Sequence, residues 1–154
     1  MSFRIRGLSP DQFEPLLALT DAELAGRGMR RERIDEPHAA PCRVTLVDAD
    51  PGERVILLSF AHQTADSPYK AGGPIYVRER AREAYDRIDE LPPVFSGRIL
   101  AVRAYDADGM MIHADIAESD PRELFTQFFS DPATDYLHVH YARRGCYSCR
   151  VDRA

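Results

Sequence analysis

Pairs of strand-like runs joined by tight turns recur along this sequence, and they constrain its fold more than any other feature. The clearest pair is 98–105 and 110–118, joined by the turn Asp106–Gly109. An Asp-Gly step between alternating runs is the strongest short-range signal of a β-hairpin. Two further pairs are 42–48 with 54–60, and 135–142 with 146–151. Because a hairpin places sequence neighbours side by side in opposite directions, these pairs predict a mainly antiparallel sheet.

Three helix-start signals accompany the strands. Ser9, Thr20 and Asp120 are each followed three residues later by Gln or Glu, which is the pattern of a capping box. The third start precedes the apolar residues Leu124, Phe125, Phe128 and Phe129. Their spacing predicts a helix with one face on the core. We therefore expect an α+β fold, with two to four helices packed on a mainly antiparallel sheet, in a single domain that spans residues 1–154.

Three segments carry weaker signals. Residues 29–41 are charged and contain two prolines, so we expect a loop or an irregular edge strand there. Residues 61–73 show no periodicity and predict a long loop ahead of a short strand at 74–78. Residues 79–95 are interpreted as a weak helix, ended by two consecutive prolines.

The charge pattern excludes several classes of partner. The chain has 25 acidic and 20 basic residues, and acidic residues interrupt its arginine runs at 27–33 and 78–87. Mixed signs of this kind are typical of a solvated face, so no nucleic-acid partner is expected. No stretch approaches the ~20 apolar residues of a membrane span, so no membrane association is expected. The odd number of cysteines, three, favours reduced thiols and a cytoplasmic location.

Two histidines are the first candidate functional residues. His138 and His140 are two apart in a predicted strand, so their rings leave the same face, together with that of Tyr136. This geometry suits metal chelation, since imidazole is a ligand for zinc, copper, iron and nickel. It equally suits a polar, half-exposed sheet face. His113 and Asp115 form a similar pair on another strand.

The cysteines offer two further hypotheses. Cys146 and Cys149 form one C-x-x-C pair, but only five residues follow Cys149, too few for the helix that thioredoxin-like redox chemistry requires. A metal site is one alternative, and its candidate ligands are Cys42, His138, His140, Cys146 and Cys149. A hydrolase is the other, with Cys42 or Cys146 as nucleophile and a histidine as base. The chain has no asparagine, which excludes a Cys–His–Asn arrangement.

The predicted loop at 61–73 is rich in polar donors. His62, Tyr69 and Lys70 stand beside the flexible pair Gly72 and Gly73. Such a loop could close over a small acidic ligand, with Lys70 as the charge and Tyr69 as a flat wall. A solvated surface loop is the alternative.

Several stretches of the chain together resemble a known family. They are 41–43, 51–58, 67–77, 103–109 and 138–153. In this order they are similar to domain-of-unknown-function family 1203, an uncharacterised bacterial family. The resemblance implies a small, stand-alone bacterial protein, and it implies no particular activity, cofactor or catalytic residue.

The polar loop and the paired histidines lead to one hypothetical pocket. Its candidate residues are His62, Tyr69, His138, His140, Arg143 and Cys146. We expect this pocket to bind a small acidic ligand or a protein partner, without a cofactor. The alternative is a metal- or thiol-dependent enzyme acting on a small acidic substrate. A third hypothesis is a homodimer, in which the histidine face packs against a second copy.

Overall fold

Nine strands and three short helices make up the fold, and the computed structural model describes residues 1–154. The strands are β1 (Phe3–Arg6), β2 (Arg30–Arg33), β3 (Arg54–Gln63), β4 (Ala71–Arg78), β5 (Asp86–Ile88), β6 (Ile99–Tyr105), β7 (Met111–Glu118), β8 (Tyr136–Tyr141) and β9 (Tyr147–Arg153). The helices are α1 (Glu14–Leu17), α2 (Asp21–Gly26) and α3 (Arg122–Phe129). None of these helices is long and apolar enough to cross a membrane.

The strands divide into two sheets. The large sheet has the order β5-β1-β9-β8-β6-β7, and the small sheet has the order β2-β3-β4. Every pairing between these strands is antiparallel, as the hairpin signals predict. The expectation of one sheet needs correction, because the hairpin of β3 and β4 pairs with neither β6 nor β8 and forms a sheet of its own.

The large sheet packs α3 against one face. Phe125, Phe128 and Phe129 are buried there, and the ring of Phe125 meets that of Phe3 edge-on at 5.1 Å. The predicted apolar face of α3 is therefore confirmed as core. It buries its aromatic rings against alternate residues of β6 and β8.

The small sheet forms a second core with the N-terminal helices. Leu16 and Leu24 pack with Ile56 and Ile75 of β3 and β4. The predicted cap of α2 is confirmed, since the Thr20 hydroxyl accepts a hydrogen bond from the Glu23 amide. A Thr cap satisfies one of the amides that the first turn of a helix leaves without a partner.

The strand predicted at 42–48 is wrong. These residues form turns, with isolated bridges from Pro41 to Asp48 and from Cys42 to Tyr76. Leu46 adopts the left-handed conformation, with φ of 50°, which an extended strand does not allow. Its side chain is nevertheless buried in the large core, so the apolar pattern marks burial rather than strand structure.

The long loop predicted at 61–73 is also wrong. β3 continues through His62 to Gln63, and β4 begins at Ala71, so the connection is only 64–70. The register shifts between Phe60 and Gln63. A bulge of this kind re-aims a side chain, and here it lies at His62.

The charged segment 29–41 contains an edge strand. Residues 30–33 form β2, an edge strand of the small sheet, which confirms one of the two alternatives for 29–41.

The helix predicted at 79–95 is wrong. Part of that segment is β5, which pairs with β1, and Asp89 then turns with φ of 58°.

The backbone at Gly7 is in close contact with the backbone of two distant residues, Val44 and Tyr85. Its amide donates to the Tyr85 carbonyl at 2.8 Å, and a Cβ atom added to it would lie 2.0 Å from the Val44 carbonyl oxygen. We expect Gly7→Ala to lower the free energy of unfolding by at least about 2 kcal/mol, because backbone must move to admit the methyl group. Urea unfolding measures this change.

Gly26 supplies the matched control. A Cβ atom there would meet nothing within 4 Å, and alanine is favoured over glycine in a helix. Gly26→Ala should leave the stability unchanged or raise it by up to about 1 kcal/mol. Equal effects of the two substitutions would contradict the close approach at Gly7.

Candidate metal centre

Three histidines from two sheets converge at one point. His138 and His140 lie on β8 in the large sheet, and His62 lies on β3 in the small sheet. One ring nitrogen of each lies within 4.8 Å of the other two. No other group of three or more His, Cys, Asp or Glu side chains in the chain is close enough to share an ion.

The alternation of β8 explains why two of these rings share a face. Leu137, Val139 and Tyr141 point into the large core, so His138 and His140 must leave the opposite face. That face is covered rather than solvated, since His138 is 4% exposed and His140 is 1% exposed. The half-exposed polar face considered as the alternative for these histidines is therefore not what the structure contains.

Each of the three rings has a buried nitrogen without a hydrogen-bond partner. His62 Nδ1, His138 Nδ1 and His140 Nε2 are all buried and accept or donate no hydrogen bond. Buried polar atoms are nearly always paired, because an unpaired one loses its hydration without compensation. Three such atoms, one on each histidine of the cluster, therefore make this cluster the candidate ligand site.

The tautomer of His140 follows from its other nitrogen. Nδ1 lies 2.9 Å from the Gly145 carbonyl oxygen. A carbonyl oxygen only accepts, so Nδ1 carries the proton and Nε2 carries a free lone pair. Metal-binding histidines are oriented in this way by a backbone carbonyl behind the ring.

Burial keeps these imidazoles neutral. It lowers the pKa of His138 to about 3, with His140, His62, Arg150 and Arg103 adding to the effect. Burial also lowers the pKa of His140 to about 4, although the Gly145 hydrogen bond opposes it. Both rings are therefore uncharged near neutral pH and keep the lone pairs that a metal ligand needs.

Aromatic rings wall the cluster. Tyr147 stacks on His62, with centroids 5.3 Å apart and ring planes within 2°, and meets His138 edge-on at 5.1 Å. Tyr105 contacts His138 from another side at 5.1 Å. An apolar wall of this kind limits water access and strengthens electrostatic interactions inside the cluster.

A buried hydrogen bond ties the two sheets together beside the cluster. The Gln63 amide donates to the Tyr136 hydroxyl at 2.8 Å, and the same hydroxyl lies 3.1 Å from Gln63 Oε1. Gln63 follows His62 on β3, and Tyr136 precedes His138 on the same face of β8. This contact therefore holds His62 over the two histidines of β8.

The sequence comparison agrees with the resemblance noted above. The family DUF1203, described as protein of unknown function, matches residues 39–153. The chain belongs to the DUF1203 family. No curated protein and no solved structure matches it.

Three of the six residues predicted to form one pocket lie together in this DUF1203 chain. His62, His138 and His140 form the cluster, whereas the Tyr69 ring contacts that of Tyr105, with centroids 6.3 Å apart. Tyr69 itself is exposed.

Arg143 and Cys146 lie elsewhere in the DUF1203 chain. They line a separate cavity together with Tyr141. Neither residue belongs to the histidine cluster, so the six residues do not form the predicted single pocket.

The cysteines do not join the histidines. Cys149 lies directly opposite Val139 in the ladder, so it faces the large core with Val139 and away from His138. The Cys42 sulfur is buried in the small core and accepts a hydrogen bond from the Arg78 amide. All three thiols are free, and none belongs to the histidine cluster.

His113 is also separate from the cluster. Its Nε2 lies 2.7 Å from the Asp131 carboxylate, and the ring stacks on Phe128. His113 and Asp115 both lie on β7, two residues apart as predicted, and the side-chain partner of His113 is Asp131.

Removal of the Tyr136 hydroxyl tests how much its hydrogen bond with Gln63 contributes to stability. We expect Tyr136→Phe to lower the free energy of unfolding by about 1–3 kcal/mol, because the buried Gln63 amide loses its partner. Urea unfolding tests this, with Tyr69→Phe as the control, since the exposed Tyr69 should tolerate the change within about 0.5 kcal/mol. Equal stabilities of the two variants would contradict the contact.

Proposed function

We propose that this protein binds a divalent transition-metal ion, such as zinc, through the imidazoles of His62, His138 and His140. The observation that carries the proposal is a cluster of three histidines, each of which has a buried ring nitrogen without a hydrogen-bond partner. An ion at this point would satisfy all three atoms at once.

The donor set selects the class of metal. Neutral imidazole nitrogen suits zinc, copper, iron and nickel, whereas magnesium and calcium prefer oxygen ligands. Tetrahedral zinc with Zn–N distances of about 2.1 Å separates its nitrogens by about 3.4 Å. The nitrogens here lie within 4.8 Å of one another, so small ring rotations are sufficient to close the site.

Three protein ligands leave one coordination position open. Structural zinc sites usually carry four protein ligands, while catalytic sites carry three and hold water or substrate in the fourth position. Arg103 and Arg150 lie near enough to act on His138 electrostatically. Two cations beside the site favour an anion or hydroxide as the fourth ligand. The ligand set therefore supports metal-dependent chemistry on a small acidic substrate.

The free thiols support a reducing location for the protein. Cys42 and Cys149 are buried and unpaired, and Cys146 is half-buried. Their state fits a bacterial cytoplasm, where thiols remain reduced.

Metal titration of the untagged, chelator-treated protein tests the proposal. We expect one equivalent of zinc or cobalt to bind, and zinc to raise the Tm by linkage. We expect metal affinity to fall in each of the single variants His62→Ala, His138→Ala and His140→Ala. Loss of a residue that only hydrogen-bonds a metal ligand typically costs about 10–100-fold in affinity, and loss of the ligand itself should cost more. Isothermal titration and the visible absorption of bound cobalt measure the loss.

His113→Ala is the matched control, because His113 is part-exposed and outside the cluster. It should bind metal as the unaltered protein does. His62→Ala keeps the test informative if the β8 variants do not fold, since His62 is the least buried of the three. Absence of stoichiometric metal, or equal binding by the His62 and His113 variants, would overturn the proposal.

A further inference from the structure

A second candidate site lies beside Tyr141 at the end of β8, in a cavity lined by arginines. The cavity has a volume of about 430 Å³ and is lined by Arg43, Arg98, Arg143 and Arg144, with no acidic side chain among its lining residues. Its remaining walls include Leu57, Pro74 and Tyr141. The volume suits a small organic molecule rather than a single ion.

Arg43 is a buried cation without a counter-ion. It is 3% exposed, and its side chain donates only to backbone carbonyls, from Nε to Tyr147 at 2.7 Å and from Nη1 to Pro41 at 2.5 Å. It forms no ion pair with an aspartate or glutamate. A buried charge is normally paired, because the cost of removing it from water is otherwise uncompensated.

The other arginines leave the cavity strongly positive. Arg98 is neutralised by a two-pronged pair with Asp48, at 2.7 and 2.9 Å. Arg43, Arg143 and Arg144 form no ion pair. Three unpaired guanidinium groups around one concave surface favour an anion, and guanidinium geometry matches the oxygens of carboxylate and phosphate.

Tyr141 contacts the buried Arg43 and the part-buried Arg98. The guanidinium carbons of Arg43 and Arg98 lie 5.1 and 5.3 Å from the centre of its ring. The Tyr141 hydroxyl accepts a hydrogen bond from Ser148 at 2.9 Å. These contacts fix the cations before a ligand arrives, which reduces the entropic cost of binding.

We infer that this cavity binds a small organic anion that carries a phosphate or carboxylate group on an apolar or aromatic body. The anionic group contacts Arg43 and Arg143, and the body rests on Leu57, Pro74 and Tyr141. The cavity shares no side chain with the histidine cluster.

Cys146 provides a direct readout of occupancy. It lines the cavity and is half-buried, whereas Cys42 and Cys149 are buried in the two cores. Iodoacetamide should therefore alkylate the native protein at Cys146 first. Phenyl phosphate and phenylacetate, at millimolar concentration, should slow this alkylation in a saturable way, while neutral benzyl alcohol should not. A chelator present throughout excludes anions held by metal at the histidines.

Charge-removing variants assign the effect to the cavity. We expect Arg43→Met to weaken protection by about tenfold or more, the value of one charge-assisted hydrogen bond. Arg143→Ala should also weaken protection. Because Arg143 is exposed on a turn, this variant should fold and keeps the test valid if Arg43→Met does not fold. Arg122→Met, an exposed arginine paired with Asp120 on α3, should protect as the unaltered protein does.

Each outcome decides the inference. Saturable protection by either anion that is lost in the Arg43 or Arg143 variant supports it, and the relative strength of the two probes distinguishes a phosphate from a carboxylate ligand. Failure of both anions to protect Cys146, or equal protection in the Arg143 and Arg122 variants, would overturn it.

Discussion

The rest of the structure depends on the burial of β8 on both of its faces. Leu137 and Val139 fill the large core on one side, while the opposite face carries His138 and His140 beneath the small sheet. A strand buried on two faces is usually apolar throughout. Here one face is polar, and His138 Nδ1 and His140 Nε2 on that face have no hydrogen-bond partner within the protein.

The turn between β8 and β9 connects the two sites. The Gly145 carbonyl orients the His140 ring, and the Tyr147 carbonyl holds Arg43. Cys146, between them, lines the arginine cavity. Both candidate sites therefore use backbone groups of one short segment.

Sequence patterns correctly predicted the elements that are stabilised by contacts between residues close together in the chain. The hairpin of β6 and β7, the Thr20 cap of α2 and the apolar face of α3 are all confirmed, because each depends on residues within one element or one turn. The strand predicted at 42–48 and the helix predicted at 79–95 are wrong. Both segments are governed by distant partners, such as the amide of Tyr85 on the carbonyl of Val44, and such contacts override local propensity.

By itself the sequence determined that His138 and His140 share a face, because side chains alternate along any strand. It also singled out His62, although as part of a loop. Only the tertiary structure decided that β3 crosses β8 so that His62 completes the cluster, and that Arg43 is buried without a carboxylate. Both facts depend on which distant segments meet, whereas the sequence pattern records only which residues avoid water. From the sequence alone, Arg43 cannot be distinguished from an exposed surface arginine, because its burial depends on residues that are distant in the chain.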